Sequence, residues 1–243
     1  MTPPASAPRF DGKLAVVTGV GRAGQVGEAV ARRFGELGAR VALLARSVDD
    51  ADARAAELRR DGIDATPYAC DLADAHAIGA VAATIAAANG GRVDALANIA
   101  GGFIGGGPVA DGDAAAPQQM FTINVATAYG ATRAFLPALR AAQGAVVFVA
   151  AAAVLPGGKL AGIGAYAASK SAVVALMRAV AQEEKAHGVR ANALAPTAIR
   201  TATNLETMGA GFRYVEREAF ADMVAFLSSP AAGNVNGQVI ELA

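Results

Sequence analysis

The chain has 243 residues, 54% hydrophobic and 17% charged, and its 21 basic residues are balanced by 21 acidic ones. That balance excludes a disordered polyelectrolyte and argues against a nucleic-acid binder or a polybasic membrane-surface protein, because both depend on excess charge. One cysteine, Cys70, and two histidines, His76 and His187, exclude an internal disulfide and a Cys/His zinc cage, so no metal site is expected.

Strand-length apolar runs alternate with Ala-rich helical stretches. The first nine residues, MTPPASAPR, read as a flexible tail without the apolar core of a secretory signal. Lys13–Thr18 is a buried strand ending at a glycine cluster. Gly27–Leu37 has helical spacing with Val30, Phe34 and Leu37 on one face, and Gly38 stops it. Val41–Ala45 is a second strand, Asp49–Arg60 a helix, Ala65–Cys70 a third strand and Ala73–Ala88 a helix. A fourth strand, Ala95–Ala100, leads into the glycine-rich loop Gly101–Gly107. Pro117–Ala142 is a long helical stretch with a bend expected near Pro137. Ala145–Val149 is the fifth strand, Ala165–His187 a long helix and Arg190–Leu194 the sixth strand. Phe220–Leu227 is helical and Gln238–Leu242 closes the chain as a strand. The longest apolar run, Ala145–Leu155, falls short of the ~20 residues that span a bilayer.

Continuous apolar strands indicate burial on both faces of a parallel sheet. With helices between them throughout, they predict one α/β domain over residues 10–243, a Rossmann-type doubly wound parallel sheet. In such a sheet ligands bind beyond the carboxyl ends of the strands. The loops after Thr18, Ala45, Cys70, Ala100, Val149 and Leu194 are therefore the ones to inspect.

The first of these, Thr18-Gly19-Val20-Gly21-Arg22-Ala23-Gly24-Gln25-Val26-Gly27, joins a strand to a helix. Free N–H groups and the positive end of the helix dipole suit a pyrophosphate there, and glycine lets the backbone approach it. Gly19, Gly21, Arg22, Gly24, Val26 and Gly27 are accordingly candidate dinucleotide contacts. After the second strand an acid would bond a ribose 2′-hydroxyl, whereas a base would accept a 2′-phosphate. The chain runs Leu44-Ala45-Arg46-Ser47, with no acid until Asp49. Arg46, with Arg22 beside it, favours NADP(H) and leaves NAD(H) open. The alternative is that Arg46 pairs with a surface acid.

Tyr166-Ala167-Ala168-Ser169-Lys170 opens the long helix, which puts the phenol and the ammonium on one face. An ammonium close to a phenol is expected to pull its pKa below ~10, giving a proton donor or acceptor near neutral pH. The lysine can also bond a nicotinamide ribose.

Taken in order, these motifs resemble the short-chain dehydrogenase/reductase family from about Phe10 to Leu242. Thr18-Gly19 fits its glycine-rich start, Asp71-Leu72 its adenine contact, and Asn98-Ile99-Ala100-Gly101 its Asn-Asn-Ala-Gly loop. Asn124 matches the helix asparagine that holds a proton-relay water, and Tyr166 with Lys170 the catalytic pair. Pro196, Ile199 and Thr201 match the segment that contacts the nicotinamide carboxamide. The resemblance thus implies Tyr166, Lys170 and Asn124 as catalytic residues. It adds Asp71, Leu72, Asn98, Ala100, Gly101, Pro196, Ile199 and Thr201 to the cofactor contacts, beside Tyr166 and Lys170 themselves. A cytoplasmic dimer or tetramer with a small-molecule substrate is also implied, assembled through stretches 117–142 and 165–187.

The sequence departs from the family at several points. Its glycine turn is two residues longer, Ile99 replaces an asparagine, and Thr197 replaces a glycine. The serine that usually precedes the tyrosine by about a dozen residues is missing: Ala150-Ala151-Ala152-Ala153 stands there, and no Ser or Thr occurs between Gly144 and Tyr166. Losing one oxyanion donor costs about 3 kcal/mol of transition-state stabilisation. Dihydropteridine reductase-like members look similar here, with alanine at that position and a loop like Ala100-Gly101-Gly102-Phe103. These features imply hydride transfer to a conjugated, quinonoid or C=N/carbonyl acceptor with Tyr166 as proton donor. A catalytically impaired NADP(H)-binding subunit or redox sensor is the alternative. Cys70 is expected to be small and buried, and His76 and His187 ordinary. Phe121, Phe135, Phe148 and Phe226 are expected in the core, and Phe103, Phe212 and Tyr214 are candidates for an aromatic wall beside a substrate.

Overall fold

Among the described residues seven strands, β1 (Leu14–Thr18), β2 (Arg40–Ala45), β3 (Ala65–Ala69), β4 (Ala95–Asn98), β5 (Ala145–Val149), β6 (Arg190–Pro196) and β7 (Val239–Leu242), form one parallel sheet in the order β3-β2-β1-β4-β5-β6-β7. The computed structural model describes residues 8–104 and 106–243, so most of the tail expected at 1–9, and Gly105, lie outside the described residues. Every residue of β1 is buried, as a strand covered on both faces requires. The order reverses after β1, and the carboxyl ends of β1 and β4 therefore flank the crevice in which such sheets bind ligands.

Among the described residues eight α-helices accompany the sheet: α1 (Val26–Glu36), α2 (Val48–Arg60), α3 (Ala75–Ala87), α4 (Ala116–Phe121), α5 (Thr127–Ala142), α6 (Gly164–Glu183), α7 (Ala202–Met208) and α8 (Arg217–Ser228). Their starts follow side-chain chemistry. Ser47 Oγ accepts from the Asp50 N–H and Asp74 from the His76 and Ala77 N–H groups, while Arg59 and Arg60 close α2 against its negative dipole end. One core joins Val30, Phe34 and Phe220 to one face of the sheet; the other joins Phe135, Val173 and Met177 to the opposite face. Arg190 ties β6 to the end of α8, donating to the carbonyls of Leu227, Ser229 and Ala232 at 2.8–3.0 Å.

Several expectations are corrected. The long stretch 117–142 is interrupted at Thr122–Ala126, where the backbone forms a π-helical turn around Asn124, while Pro137 lies inside α5. Helix α7 was not expected at all; Thr201 caps it by accepting from the Asn204 N–H. Phe135 and Phe148 are fully buried and Phe226 is half-buried. Phe121 is exposed, because it faces a shallow groove with Leu72, Val125 and Tyr129 rather than the core.

Candidate active site

The glycine turn is held from below by close packing. Gly19 has φ +75°, and a Cβ on it would stand 2.8 Å from Ala100 N; a Cβ on Gly27 would collide with the Gly19 carbonyl. Only glycine allows the turn to lie this close to the loop after β4. Thr18 Oγ1 completes that contact by accepting from the N–H groups of Ile99 (2.9 Å) and Ala100 (3.0 Å). Above the turn, α1 starts without a side-chain cap. Its first N–H groups and positive dipole end therefore remain for an anion, and the residues present fit the pyrophosphate of a dinucleotide. Gly24 is already committed. Its N–H donates to Glu28 Oε2 at 2.7 Å and its carbonyl accepts from Ala202 N at 3.3 Å, while Gln25 Nε2 reaches Thr203 Oγ1 at 3.2 Å. The longer turn thus touches the start of α7, a contact no motif announced.

A Cβ on Gly21 would lie 3.8 Å from Ala45 Cβ, so Arg22 and Arg46 leave the backbone from neighbouring points. Both are exposed, and among the described residues neither forms an ion pair. An acid also reaches this spot. Asp50 Oδ2 stands 3.6 Å from the same Cβ position, brought back by the first turn of α2 although Asp50 follows Arg46 by four residues. Asp71 is exposed and accepts from the Ala73 N–H, and Leu72 is buried beside it.

At the ends of β4 and β5 the remaining groups converge. Asn98 is buried; its Nδ2 donates to Thr132 Oγ1 at 2.9 Å and its Oδ1 has no partner among the described residues. Asn124, 2% exposed, takes both backbone groups of Gly102, accepting from N at 2.9 Å and donating to O at 3.0 Å. A Cβ on Gly101 would lie 2.6 Å from Asn124 Oδ1 and 3.7 Å from Lys170 Nζ. Lys170, 6% exposed, donates to the Val149 carbonyl at 2.9 Å, and its Nζ lies 5.8 Å from the centre of the Tyr166 ring. Phe103 meets that ring edge-on at 5.2 Å. Pro196, Ile199 and Thr201 are buried along the far side, where Asn204 Nδ2 donates to the Ile199 carbonyl at 2.8 Å.

The expected lowering of the phenol by the lysine is not what the structure supports. Burial pushes Tyr166 up to about 12 and Lys170 down to about 8. Both ionised forms lose hydration, and an ammonium that sheds its proton near 8 is a weak source of positive potential for the phenol. Tyr214 is also corrected. It does not face the cleft but is buried, and its hydroxyl donates toward the carbonyls of Gly209 (2.7 Å) and Asn204 (3.1 Å). Phe103 and Phe212 remain exposed as apolar surface. Sequence reasoning missed Ser169, whose Oγ donates to the Tyr166 carbonyl and accepts from Asn124 Nδ2. A serine sharing the buried side of the helix with Val173, Met177 and Val180 was the available signal.

Comparison with known proteins places this arrangement. The family model for short chain dehydrogenase matches residues 13–208. D-threitol dehydrogenase of Mycolicibacterium smegmatis is 32% identical over 241 residues, covering 94% of this chain and 90% of that one. A crystal structure of a Beutenbergia cavernae protein assigned as an NAD(P) dependent gluconate 5-dehydrogenase, with NADP bound at low occupancy, is 33% identical with a TM-score of 0.84, covering 96% of both chains. A 7 alpha-hydroxysteroid dehydrogenase complexed with NADH and 7-oxo glycochenodeoxycholic acid is 26% identical with a TM-score of 0.88, covering 99% of this chain and 96% of that one.

Proposed function

The chain belongs to the short chain dehydrogenase family and is an NAD(P)-dependent oxidoreductase; from that premise we infer that it prefers NADPH and reduces a conjugated or quinonoid ring, or a C=N bond, in preference to a simple ketone. The observation that carries the acceptor class is the chain between Gly144 and Tyr166, which offers methyl groups and backbone but no Ser or Thr. A ketone becoming an alkoxide needs a donor besides the tyrosine; an electron-poor ring spreads the incoming charge over itself and needs only a proton. Likeness of the Ala100–Phe103 loop to dihydropteridine reductase-like proteins supports the same reading. The relatives above are named for polyol and steroid substrates, which sets the rival acceptor class.

The nicotinamide, when bound, supplies hydride from C4. Tyr166, with a phenol near 12, keeps its proton at neutral pH and is ready to donate it to the reduced acceptor. Lys170, near 8, can bond the nicotinamide ribose while it also holds the end of β5 through Val149. Gly19, Gly21, Val26 and Gly27 receive the pyrophosphate, Arg22 and Arg46 the 2′-phosphate, Asp71 and Leu72 the adenine. Asn98, Ala100 and Gly101 border the nicotinamide side with Pro196, Ile199 and Thr201, and Asn124 anchors a water relay. A cytoplasmic homo-oligomer accords with the exposed Phe121 and Tyr129 beside Leu72.

Turnover of NADPH and NADH against quinonoid pterins, quinones, imines and ketones tests this. Faster NADPH oxidation with the conjugated and C=N acceptors is expected; a clear advantage for ketones or polyols contradicts the acceptor class. Tight cofactor binding without turnover on any acceptor supports the alternative that the missing hydroxyl favours, a redox sensor or binding subunit.

A further inference from the structure

Ser169 has no part in the chemistry above, yet its side chain is fully buried between the catalytic helix and the π-helical turn. Its neighbours determine its direction. The Tyr166 carbonyl, 2.7 Å away, can only accept, so the hydroxyl hydrogen points there. The oxygen lone pairs then face the Asn124 amide at 3.1 Å, and only the nitrogen end of an amide can donate to them. With Nδ2 so placed, Oδ1 meets the Gly102 N–H and the second Nδ2 hydrogen meets the Gly102 carbonyl. The other neighbour of Nδ2, Met120 Sδ at 3.9 Å, is too weak an acceptor to set the amide by itself.

We propose that Ser169 is a positioning residue: by orienting the Asn124 amide, it fixes the loop Gly101–Phe103 against the helix that carries Tyr166 and Lys170. Two features of the site depend on that placement. Gly101 closes over Lys170 Nζ, and Phe103 stands edge-on against the Tyr166 ring. Without the hydroxyl, one buried amide hydrogen loses its strong acceptor, and the orientation is left to the two Gly102 contacts on the loop that it is meant to hold. The kinetic consequence rests on the reading of Tyr166 and Lys170 as the catalytic pair; the structural one does not.

Amide hydrogen exchange at Gly102, followed by NMR without cofactor or substrate, reads the link directly. Ser169→Ala should speed exchange there by about tenfold, with amides of α8 unchanged, and should lower kcat by about 10–100-fold through misplacement, with a smaller effect on the acceptor KM. In Asn124→Ala, adding Ser169→Ala should change neither Gly102 exchange nor kcat further, because one acts through the other. Ser169→Cys, of similar size but with weaker hydrogen bonds, should give an intermediate rate and serves if the alanine variant does not fold. Wild-type Gly102 exchange in Ser169→Ala, or effects of the two substitutions that multiply, would overturn the proposal. A wild-type protein that turns over no acceptor would overturn the catalytic reading and leave the exchange test standing.

Discussion

Two loops pack against helix α6, one after β4 and one after β5, and they are built on opposite plans. The first is fixed by side chains from elsewhere: Thr18 binds the N–H groups of Ile99 and Ala100, and Asn124 binds both polar groups of Gly102. The second is held mainly by main chain, through Ala150 N to Leu194 O and the turn bonds from Val154 to Ala151 and Leu155 to Ala152, with Lys170 Nζ bonding the Val149 carbonyl where it begins. Ala150 to Ala153 add only methyl groups there. On the proposed reading, positioning is concentrated on the β4 side, and Tyr166 of α6 is the one side-chain donor to the acceptor.

The largest effect should come from removing that single donor. Tyr166→Phe is expected to lower kcat by about 10³-fold while the cofactor still binds, its dissociation constant shifting far less; a loss under tenfold would mean that another group or solvent supplies the proton. The contrast can also be erased from the other direction. Serine placed in turn at Ala151, Ala152 and Ala153 should, at one position, raise ketone turnover relative to quinonoid turnover by about 100-fold, the size of one oxyanion donor. No gain at any of the three would show that the alanines do not set the acceptor class.

At the cofactor end, Arg46→Asp should shift the NADPH to NADH ratio of kcat/KM by about 10–100-fold, as expected for loss of a charge-assisted bond. An unchanged ratio would assign the 2′ position to Asp50 and Arg22 instead. Thr18→Val tests the positioning side, because it takes the Thr18 acceptor from the Ala100 N–H and leaves the Ile99 N–H only the Ala97 carbonyl. A stability loss of about 1–3 kcal/mol is expected, read in urea; no loss would mean the loop is held without it.

The smallest effect concerns pH. Folded Lys170 releases its proton near 8, whereas the unfolded chain keeps it to about 10.5. Between those values the unfolded state binds more protons, so this group makes stability rise with pH over that window. Tyr166 acts oppositely between about 10 and about 12, where the folded chain retains a proton that the unfolded chain loses. Lys170→Met should therefore remove part of the rise in melting temperature between pH 8 and 10; parallel profiles for the two proteins would contradict the burial of the ammonium.

The sheet was legible because strands covered on both faces write themselves as unbroken apolar runs, as Ala145–Val149 does. The site's outline was legible where chemistry requires a residue type at a fixed spacing: glycine against Ala100, or a phenol one helical turn from an amine. What escaped depends on tertiary contact. Phe121 has the periodicity of a core residue yet faces a groove, because periodicity records a face and not what covers it. The π-helical turn at Asn124 was not legible, since the weak helix formers Thr122, Ile123, Asn124 and Val125 lower helix propensity without indicating which helical turn results. Helix α7 is only seven residues long, and Thr203 and Asn204 in its first turn are weak helix formers; its Thr201 cap and the Gln25 contact define it. The pKa directions depend on burial, which a four-residue spacing does not report.

The central claim is that the phenol of Tyr166 and the amine of Lys170 share one cleft with the nicotinamide, and a crystal structure of the protein grown with NADPH tests it most directly. The account predicts the nicotinamide ring bordered by Tyr166, Gly101 and Ile199, with Lys170 Nζ within hydrogen-bond distance of its ribose. A ring bound elsewhere, or a Tyr166 phenol turned into the protein interior, would contradict it.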